Sequence, residues 1–482
     1  MANGQTMTTG WQAFSAVAAA RGAHPAVVIG EVGLSFAQLH DLALRQGGGL
    51  RVAGVQPGDR VVLHLTNGIA SAALPLALWA IGAVPVFAPA EVALAEVASR
   101  VTAALVVSER PSGAGDMAVC LPEALLADPV MPVMQGDAIG SILFTSGSTG
   151  RPKGVVQRHE TLLNGVDRVA AAVGFGAEDR LLCAVPFAHD YGWGQLLAMY
   201  RLGLTLVLAP PGLVGLPDAV ERHRPTVIGG VPSVYAGLTR GVSDMARRDR
   251  SSVRLVMSTG SAMPKRVWQD LAVLFPAARR CLNYGLTETF RSATLRVEDE
   301  ALAPAIVGSA LPGTDLCVVD AAGKVLPAGA WGEVVHRGAG VFESYWNDPD
   351  QTALRRRLDP VTGQGFAVFT GDYGCLDAAG RLTIGDRIDR MVKVMGLSAS
   401  PAAIEAALVA ATGVEAVAVL SRPHDILGAE LVAVVVGDMK AAQNAALTLA
   451  AQERPRVWLK RDALPLTASG KVDLQRLGRE VV

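Results

Sequence analysis

The stretch SILFTSGSTGRPKG, Ser141–Gly154, frames the reading of this chain. Ile142, Leu143 and Phe144 form a short apolar run of the kind that fills a buried strand. Serine, threonine and glycine follow up to Gly150, and Lys153 closes the segment. Glycines let backbone N–H groups converge on an anion, and the hydroxyls of Ser146, Ser148 and Thr149 add donors. Lys153 contributes a mobile positive charge. The segment therefore reads as a strand leading into a phosphate loop. Its spacing excludes the P-loop of nucleotide hydrolases, G-x-x-x-x-G-K-S/T, because the fifth residue after Gly147 is Pro152. A plain Gly/Ser surface loop would need neither the incoming strand nor the closing Pro-Lys-Gly.

Working outward, RVVLHL, AVPVFA, AALVVS, LLCAVP, LTLVLA, TVIGGVP and VRLVMSTG read as further buried strands, separated by helical stretches. That alternation predicts an α/β architecture with largely parallel sheets. After about Gly308 the texture changes to CVVDAAGKVLPAGAWGEVVHRG, which reads as antiparallel β. DAAGKVLPAG and DAAGRLTIGD are two hairpin-like phrases with the same Ala-Ala-Gly turn. A boundary is expected at Gly385/Asp386, giving a large N-terminal domain, 1–385, and a small α+β domain, 386–482. In the small domain, SPAAIEAALVAA predicts a helix, VEAVAVLS and ELVAVVVG predict strands, and a second helix is expected near Ala441 to Gln452.

The 482 residues suit two or three domains, and half of them are apolar, so the chain is globular. A net charge of −1 gives no electrostatic reason to expect nucleic acid. Five scattered cysteines without a C-x-x-C pair read as reduced thiols of a cytoplasmic protein. The N-terminus lacks the basic-then-apolar pattern of a signal peptide. Thr66 to Ala90 is uncharged and long enough to span a bilayer, but Pro75, Gly82, Pro85 and Pro89 punctuate it. A buried helix through Ala80 and a buried strand are expected instead, with no membrane span.

Lysine is scarce in this arginine-rich chain, yet two of its seven lysines, Lys153 and Lys471, sit in glycine-serine contexts. A compact ammonium suits one oxygen of a crowded reaction centre better than a guanidinium fork does. SGSTGRPKG, YGLTE (Tyr284–Glu288), TGD (Thr370–Asp372), DRIDRMVKVMG (Asp386–Gly396) and LPLTASGK (Leu464–Lys471) follow one another in the order and spacing of the adenylate-forming, AMP-binding superfamily. The chain resembles that superfamily of acyl-CoA synthetases, adenylation enzymes and luciferases over essentially its whole length.

The resemblance implies two parallel-rich α/β sheet subdomains and a small β subdomain, followed by a mobile α+β lid. It also implies an ATP-dependent acid–thiol ligase: a carboxylate attacks the α-phosphate to give an acyl-adenylate, and a thiol then displaces AMP. ATP, Mg²⁺ and the thiol of CoA or phosphopantetheine would be required. Thr145, Ser146, Gly147, Ser148, Thr149 and Gly150 would wrap phosphates with Lys153, and Glu288 with Thr145 would hold Mg²⁺. Gly260, Ser261 and Ala262 would wall the adenosine, with Tyr284 on the base and Asn283 and Thr287 beside it. Asp372 would take the ribose hydroxyls, Arg387 ribose or phosphate, and Lys471 would bridge carboxylate and α-phosphate. Asp389 would be the hinge of the lid.

The chain departs from the family pattern where Asp386 replaces a glycine and where Gly396-Leu397-Ser398-Ala399 lacks an arginine. The tyrosine often found just before T-G-D is absent too, since VFTGD stands there. The acid would be read by His189, Asp190, Trp193, Met257, Thr259, Arg291 and Ser292. Asp190 has two readings: it holds a substrate ammonium, or it caps a helix starting near Gly192. Arg291 would pair with Asp190 or bind a second substrate carboxylate. The favoured expectation is an acyl-CoA synthetase-like enzyme acting on a small carboxylic acid. The alternatives are an α- or β-amino-acid adenylating enzyme that loads a carrier protein, and a non-catalytic nucleotide-binding relative.

Overall fold

A computed structural model of the chain describes residues 8–90, 92–109, 119–120, 122–133, 139–145, 151–209, 213–239, 243–466 and 472–481. Ile139–Thr145 is a strand buried at every position but its ends. It pairs antiparallel with Lys153–Arg158, and the register sets Thr145 opposite Lys153. The glycine-serine segment is thus the connection of a β-hairpin. Ser146, Gly147, Ser148, Thr149 and Gly150 themselves lie outside the described residues.

That hairpin sits inside a seven-stranded sheet. Val84–Phe87, Arg60–His64, Leu105–Ser108 and Val119–Cys120 continue it in parallel on one side, and Ser344–Tyr345 pairs with Lys153–Arg158 on the other. A second, larger sheet carries the parallel strands Thr205–Leu208, Arg180–Cys183, Val227–Gly230, Leu255–Ser258 and Arg279–Tyr284 in that order. Three of these four-residue strands, Thr205–Leu208, Val227–Gly230 and Leu255–Ser258, are buried at every position, as expected where helices cover both faces. Beyond Tyr284 the same sheet turns antiparallel and takes in Thr314–Val319, Trp331–Gly338, Phe366–Leu376 and Arg381–Arg387. The change of texture after Gly308 is this change of pairing.

The uncharged stretch near residue 70 forms the helix Ile69–Ile81, buried throughout from Ser71 onward, and then the strand Val84–Phe87. Its apolarity serves the core. Trp79 packs there edge-on to Trp193 and Tyr200, with Phe87 4.6 Å from the Trp193 ring. Among the described residues no helix is long and apolar enough to cross a membrane.

The small C-terminal domain has its own core around Ile404, Leu408, Val419 and Val435. Val414–His424 and Gly428–Gly437 are antiparallel, and Val457–Arg461 joins in parallel. Pro401–Val409 is the expected helix, with Ser400 capping Ala403 N–H. The second helix is shorter than expected and lies earlier, Met439–Ala446, because Asp438 caps its start. Past Ala446 the Thr448 hydroxyl donates back to the Ala445 carbonyl (2.8 Å), a local bond that competes with helix continuation.

The helix Asp190–Leu202 packs against the connection that precedes it through a glycine. A Cβ on Gly192 would stand 2.0 Å from the Pro186 carbonyl oxygen, a backbone atom that cannot step aside. We expect Gly192→Ala to cost about 1–3 kcal/mol, read as a lowered Tm in thermal unfolding; an unchanged Tm would show that this approach is not tight.

Candidate active site

Lys153, at the foot of the hairpin, donates from Nζ to Gln351 Oε1 at 2.7 Å and lies 5.4 Å from the Tyr345 ring centre. Burial, reinforced by the Arg355 guanidinium, lowers the pKa of its ammonium below the usual lysine range. Glu288 faces the same space, and the Tyr345 hydroxyl donates to its Oε1 at 2.5 Å. Tyr345 and Gln351 are absent from the residues singled out above. Nothing in SYWNDPDQ marks them, since Tyr345 arrives by pairing with Val155 and Gln351 by a short helix capped by Asp348.

Among the described residues no cluster of three or more His, Cys, Asp or Glu could hold a metal ion. A site of one carboxylate and one hydroxyl, Glu288 and Thr145, still fits Mg²⁺, which draws its remaining ligands from phosphate and water.

On the neighbouring edge, the strand Phe366–Leu376 presents Asp372 opposite Arg387. The buried Asp372 carboxylate accepts from the Tyr284 hydroxyl at 2.6 Å and from Arg387 Nη1 at 3.2 Å. Burial raises its pKa, and Arg387 opposes that shift. The glycine of T-G-D is required here: Gly371 has φ +69°, and a Cβ would meet the Arg355 guanidinium at 2.2 Å. Gly260, Ser261 and Ala262 follow the strand Leu255–Ser258 as an exposed turn, with Gly260 at φ +94°. Thr287 offers its carbonyl to Gln157 Nε2. Tyr284, Thr287, Glu288, Asp372, Arg387 and Lys153 thus come together where the two sheets meet. Lys471 lies outside the described residues.

Asp386, which stands where the family has glycine, is buried and accepts from Ser400 Oγ at 3.2 Å and Ala402 N–H at 2.8 Å. It ties the end of the strand Arg381–Arg387 to the first turn of the helix Pro401–Val409. Asp389, three residues on, lies in a short 3₁₀ turn 3.5 Å from Arg387.

A separate small cavity of about 30 Å³ lies between the helices His159–Val173 and Asp190–Leu202 and the sheet. Met257, Asn283 and Arg291 line it, together with Tyr191, Gln195 and Phe290. Arg291 Nη1 is 3.4 Å from Asp190 Oδ2, both side chains being nearly inaccessible. The pairing expected as one reading of Arg291 is therefore formed. Helix capping by Asp190 is not: the helix begins at Asp190 itself, and its N-cap is His189. Asp190 Oδ1 is buried without a partner, and burial pushes the carboxyl up to about 7 against the pull of Arg291.

Trp193 points away from the cavity into the aromatic core, with no solvent exposure, so it does not line the pocket. Two residues from both Tyr191 and Gln195, it sits about 200° around the helix, opposite the cavity-facing row of Tyr191, Gly194, Gln195 and Ala198. Thr259 donates to the Asn283 carbonyl, and Ser292 bonds Thr289 and His336, so both support the wall from behind.

A family model described as AMP-binding enzyme matches residues 14–346, and one described as AMP-binding enzyme C-terminal domain matches 403–471. Feruloyl-CoA synthase of Amycolatopsis sp is 31% identical over 481 residues, covering 93% of this chain and 94% of that one. The long-chain-fatty-acid–CoA ligase FadD13 of Mycobacterium tuberculosis is 28% identical over 474 residues, 92% of each chain. The ATP-bound structure of MatB from Rhodopseudomonas palustris superposes with a TM-score of 0.87, at 26% identity over 98% of both chains.

The Asp190 shift has a definite sign. The folded chain holds this proton to about pH 7, whereas the unfolded chain releases it near the ordinary aspartate value. Its contribution to stability is therefore complete below about pH 4 and is lost as pH rises to about 7. The Tm of Asp190→Asn should gain on the parent between about pH 4 and 7, and above that the difference should stay constant; a gap independent of pH would mean that Asp190 ionises normally.

Proposed function

The chain belongs to the AMP-binding family of adenylate-forming enzymes, AMP-forming acid–thiol ligases that pass through an acyl-adenylate, and on that premise we propose that it joins a small carboxylic acid to the thiol of CoA. The reading is carried by one observation: Lys153, Glu288, Asp372 and Arg387 converge around the phosphate hairpin. Attack of a carboxylate on the α-phosphate brings two anions together, so fixed positive charge beside the phosphates lowers the barrier. Lys153 would meet the outer phosphates, with the hydroxyls and amides of Thr145 to Gly150 around them. Glu288, oriented by the Tyr345 hydroxyl, would hold Mg²⁺ with Thr145, and the ion when bound would neutralise phosphate charge.

In this reading Asp372 and Arg387 take the ribose, Tyr284 with Thr287 and the Gly260–Ala262 turn holds the base, and Lys471 bridges the carboxylate and the α-phosphate, while Asn283 serves the acid cavity that it lines. The acid occupies the cavity beside Arg291, with Met257 at its wall, while Asp190 reaches it only through its pairing with Arg291 and His189 stands at the N-cap of the helix Asp190–Leu202. The products of the first step are acyl-adenylate and pyrophosphate; the thiol then expels AMP. The domain boundary is placed at 385/386, with Asp389 as the hinge and the lid moving between the two steps. CoA is favoured as the thiol because the relatives named above include CoA ligases, and the scattered cysteines suit a cytoplasmic setting.

Amino-acid activation with loading of a carrier protein is the second reading, favoured by the unpartnered Asp190 Oδ1. The Arg291 guanidinium beside that carboxylate weighs against it, since it leaves little net negative charge for an ammonium.

Acid-dependent exchange of pyrophosphate into ATP is the direct assay. Lys471→Ala should lower the exchange rate by about 10²–10³-fold, and retention of full exchange would remove Lys471 from the adenylation step. Tyr345→Phe should reduce kcat/KM for ATP by about tenfold through loss of a charge-assisted hydrogen bond; if only stability changes, Tyr345 does not orient Glu288.

A further inference from the structure

Gln195 is the one cavity-lining side chain whose two polar atoms are both unsatisfied. It is 3% exposed, and neither Oε1 nor Nε2 has a hydrogen-bond partner. The amide lies flat on the sheet floor: a Cβ on Gly229 would touch Gln195 Oε1 at 2.4 Å. No side chain can occupy Gly229 while the amide holds this place. A buried amide left unpaired costs about 1–3 kcal/mol, and apolar side chains of the same volume avoid that cost. The amide persists beside Val166, Val169, Phe175, Leu181 and Ala198, in a wall whose other polar side chains are Tyr191, Asn283 and Arg291.

The unpartnered atoms near it have a pattern. Gln195 Oε1, Asn283 Oδ1 and Asp190 Oδ1 are acceptors, and Gln195 Nε2 is a donor. Asn283 lines the same cavity, and Asp190 lies five residues, about 7.5 Å of helix, before Gln195. The charges are spent on each other in the Asp190–Arg291 pair. What remains asks for an uncharged group that donates through more than one N–H and accepts through one oxygen.

We propose that Gln195 is a specificity-determining residue that hydrogen-bonds a primary carboxamide, or a group of the same donor–acceptor pattern, on the distal end of the acid substrate. A primary carboxamide places two N–H donors against the Gln195 and Asn283 oxygens and its carbonyl against Gln195 Nε2. A second carboxylate would meet the Gln195 and Asn283 oxygens, and an ammonium would leave Gln195 Nε2 unpaired. A site built this way rejects an apolar analogue because its own buried groups stay unpaired. The inference rests on the reading of this cavity as the acyl pocket of an adenylating enzyme.

The test uses the full chain and acid-dependent pyrophosphate exchange with three matched pairs. Succinamate, glutaramate and adipamate are compared with 4-methylpentanoate, 5-methylhexanoate and 6-methylheptanoate, in which an isopropyl group replaces the carboxamide. The parent should favour the carboxamide in at least one pair by about tenfold or more in kcat/KM. Gln195→Leu should reverse that preference, leave KM for ATP unchanged and raise the Tm of the ligand-free protein. A parent that prefers the apolar member of every pair, or a Gln195→Leu ratio equal to the parent's, overturns the role of Gln195 while leaving the ligase reading standing. A lowered Tm for Gln195→Leu overturns it as well, since the amide would then be structural. Absence of exchange with these six acids, and with fatty, aryl and amino acids besides, overturns the ligase reading and this inference with it.

Discussion

Thr145 stands opposite Lys153 across an antiparallel pair, and the site is assembled around that register. A one-residue slip would turn Lys153 to the other face of the sheet and set the now buried Gly154 in its place. The same strand, Lys153–Arg158, pairs on its far side with Ser344–Tyr345 and so delivers the Tyr345 hydroxyl to Glu288. Two backbone ladders thereby position a cation and the group that orients the carboxylate. Side-chain packing alone would not hold a long lysine and a glutamate in one arrangement, because their rotamer entropy opposes it.

Charge at the centre is managed by pairing. Asp372 takes Arg387 and the Tyr284 hydroxyl, and Asp190 takes Arg291. Burial raises both aspartates, which states in pKa terms that their partners only partly repay desolvation. Such groups are expensive for the fold and are found where binding or chemistry uses them. Asp386 is a different case. Its carboxylate accepts from the first turn of the helix Pro401–Val409 and lies 3.6 Å from Arg390, so a position that is glycine in the family pattern here ties the strand Arg381–Arg387 to that helix.

The strands read from apolar runs, including the buried helix and strand in the uncharged stretch near residue 70, coincide with those observed. Short buried runs flanked by glycine and proline carry that signal whatever surrounds them. Helix ends were less legible: the expected helix near Ala441–Gln452 is Met439–Ala446, decided by an aspartate cap and a threonine that bonds back to the chain. Trp193 illustrates the limit in the pocket. Its segment faces the cavity, but helical phase turns the indole into the core and brings Gln195 round instead.

Sequence by itself determined the α/β texture and the antiparallel character of the chain beyond Gly308. Each depends on residues close together along the chain, where periodicity and spacing act directly. Tertiary structure alone decided that Tyr345 and Gln351 stand over Lys153, that Arg291 is spent on Asp190, and that Gln195 is left unpaired in the cavity wall. Those facts join residues roughly a hundred or more positions apart, or depend on which way one turn of a helix faces. Only the packed sheets fix such distances and orientations.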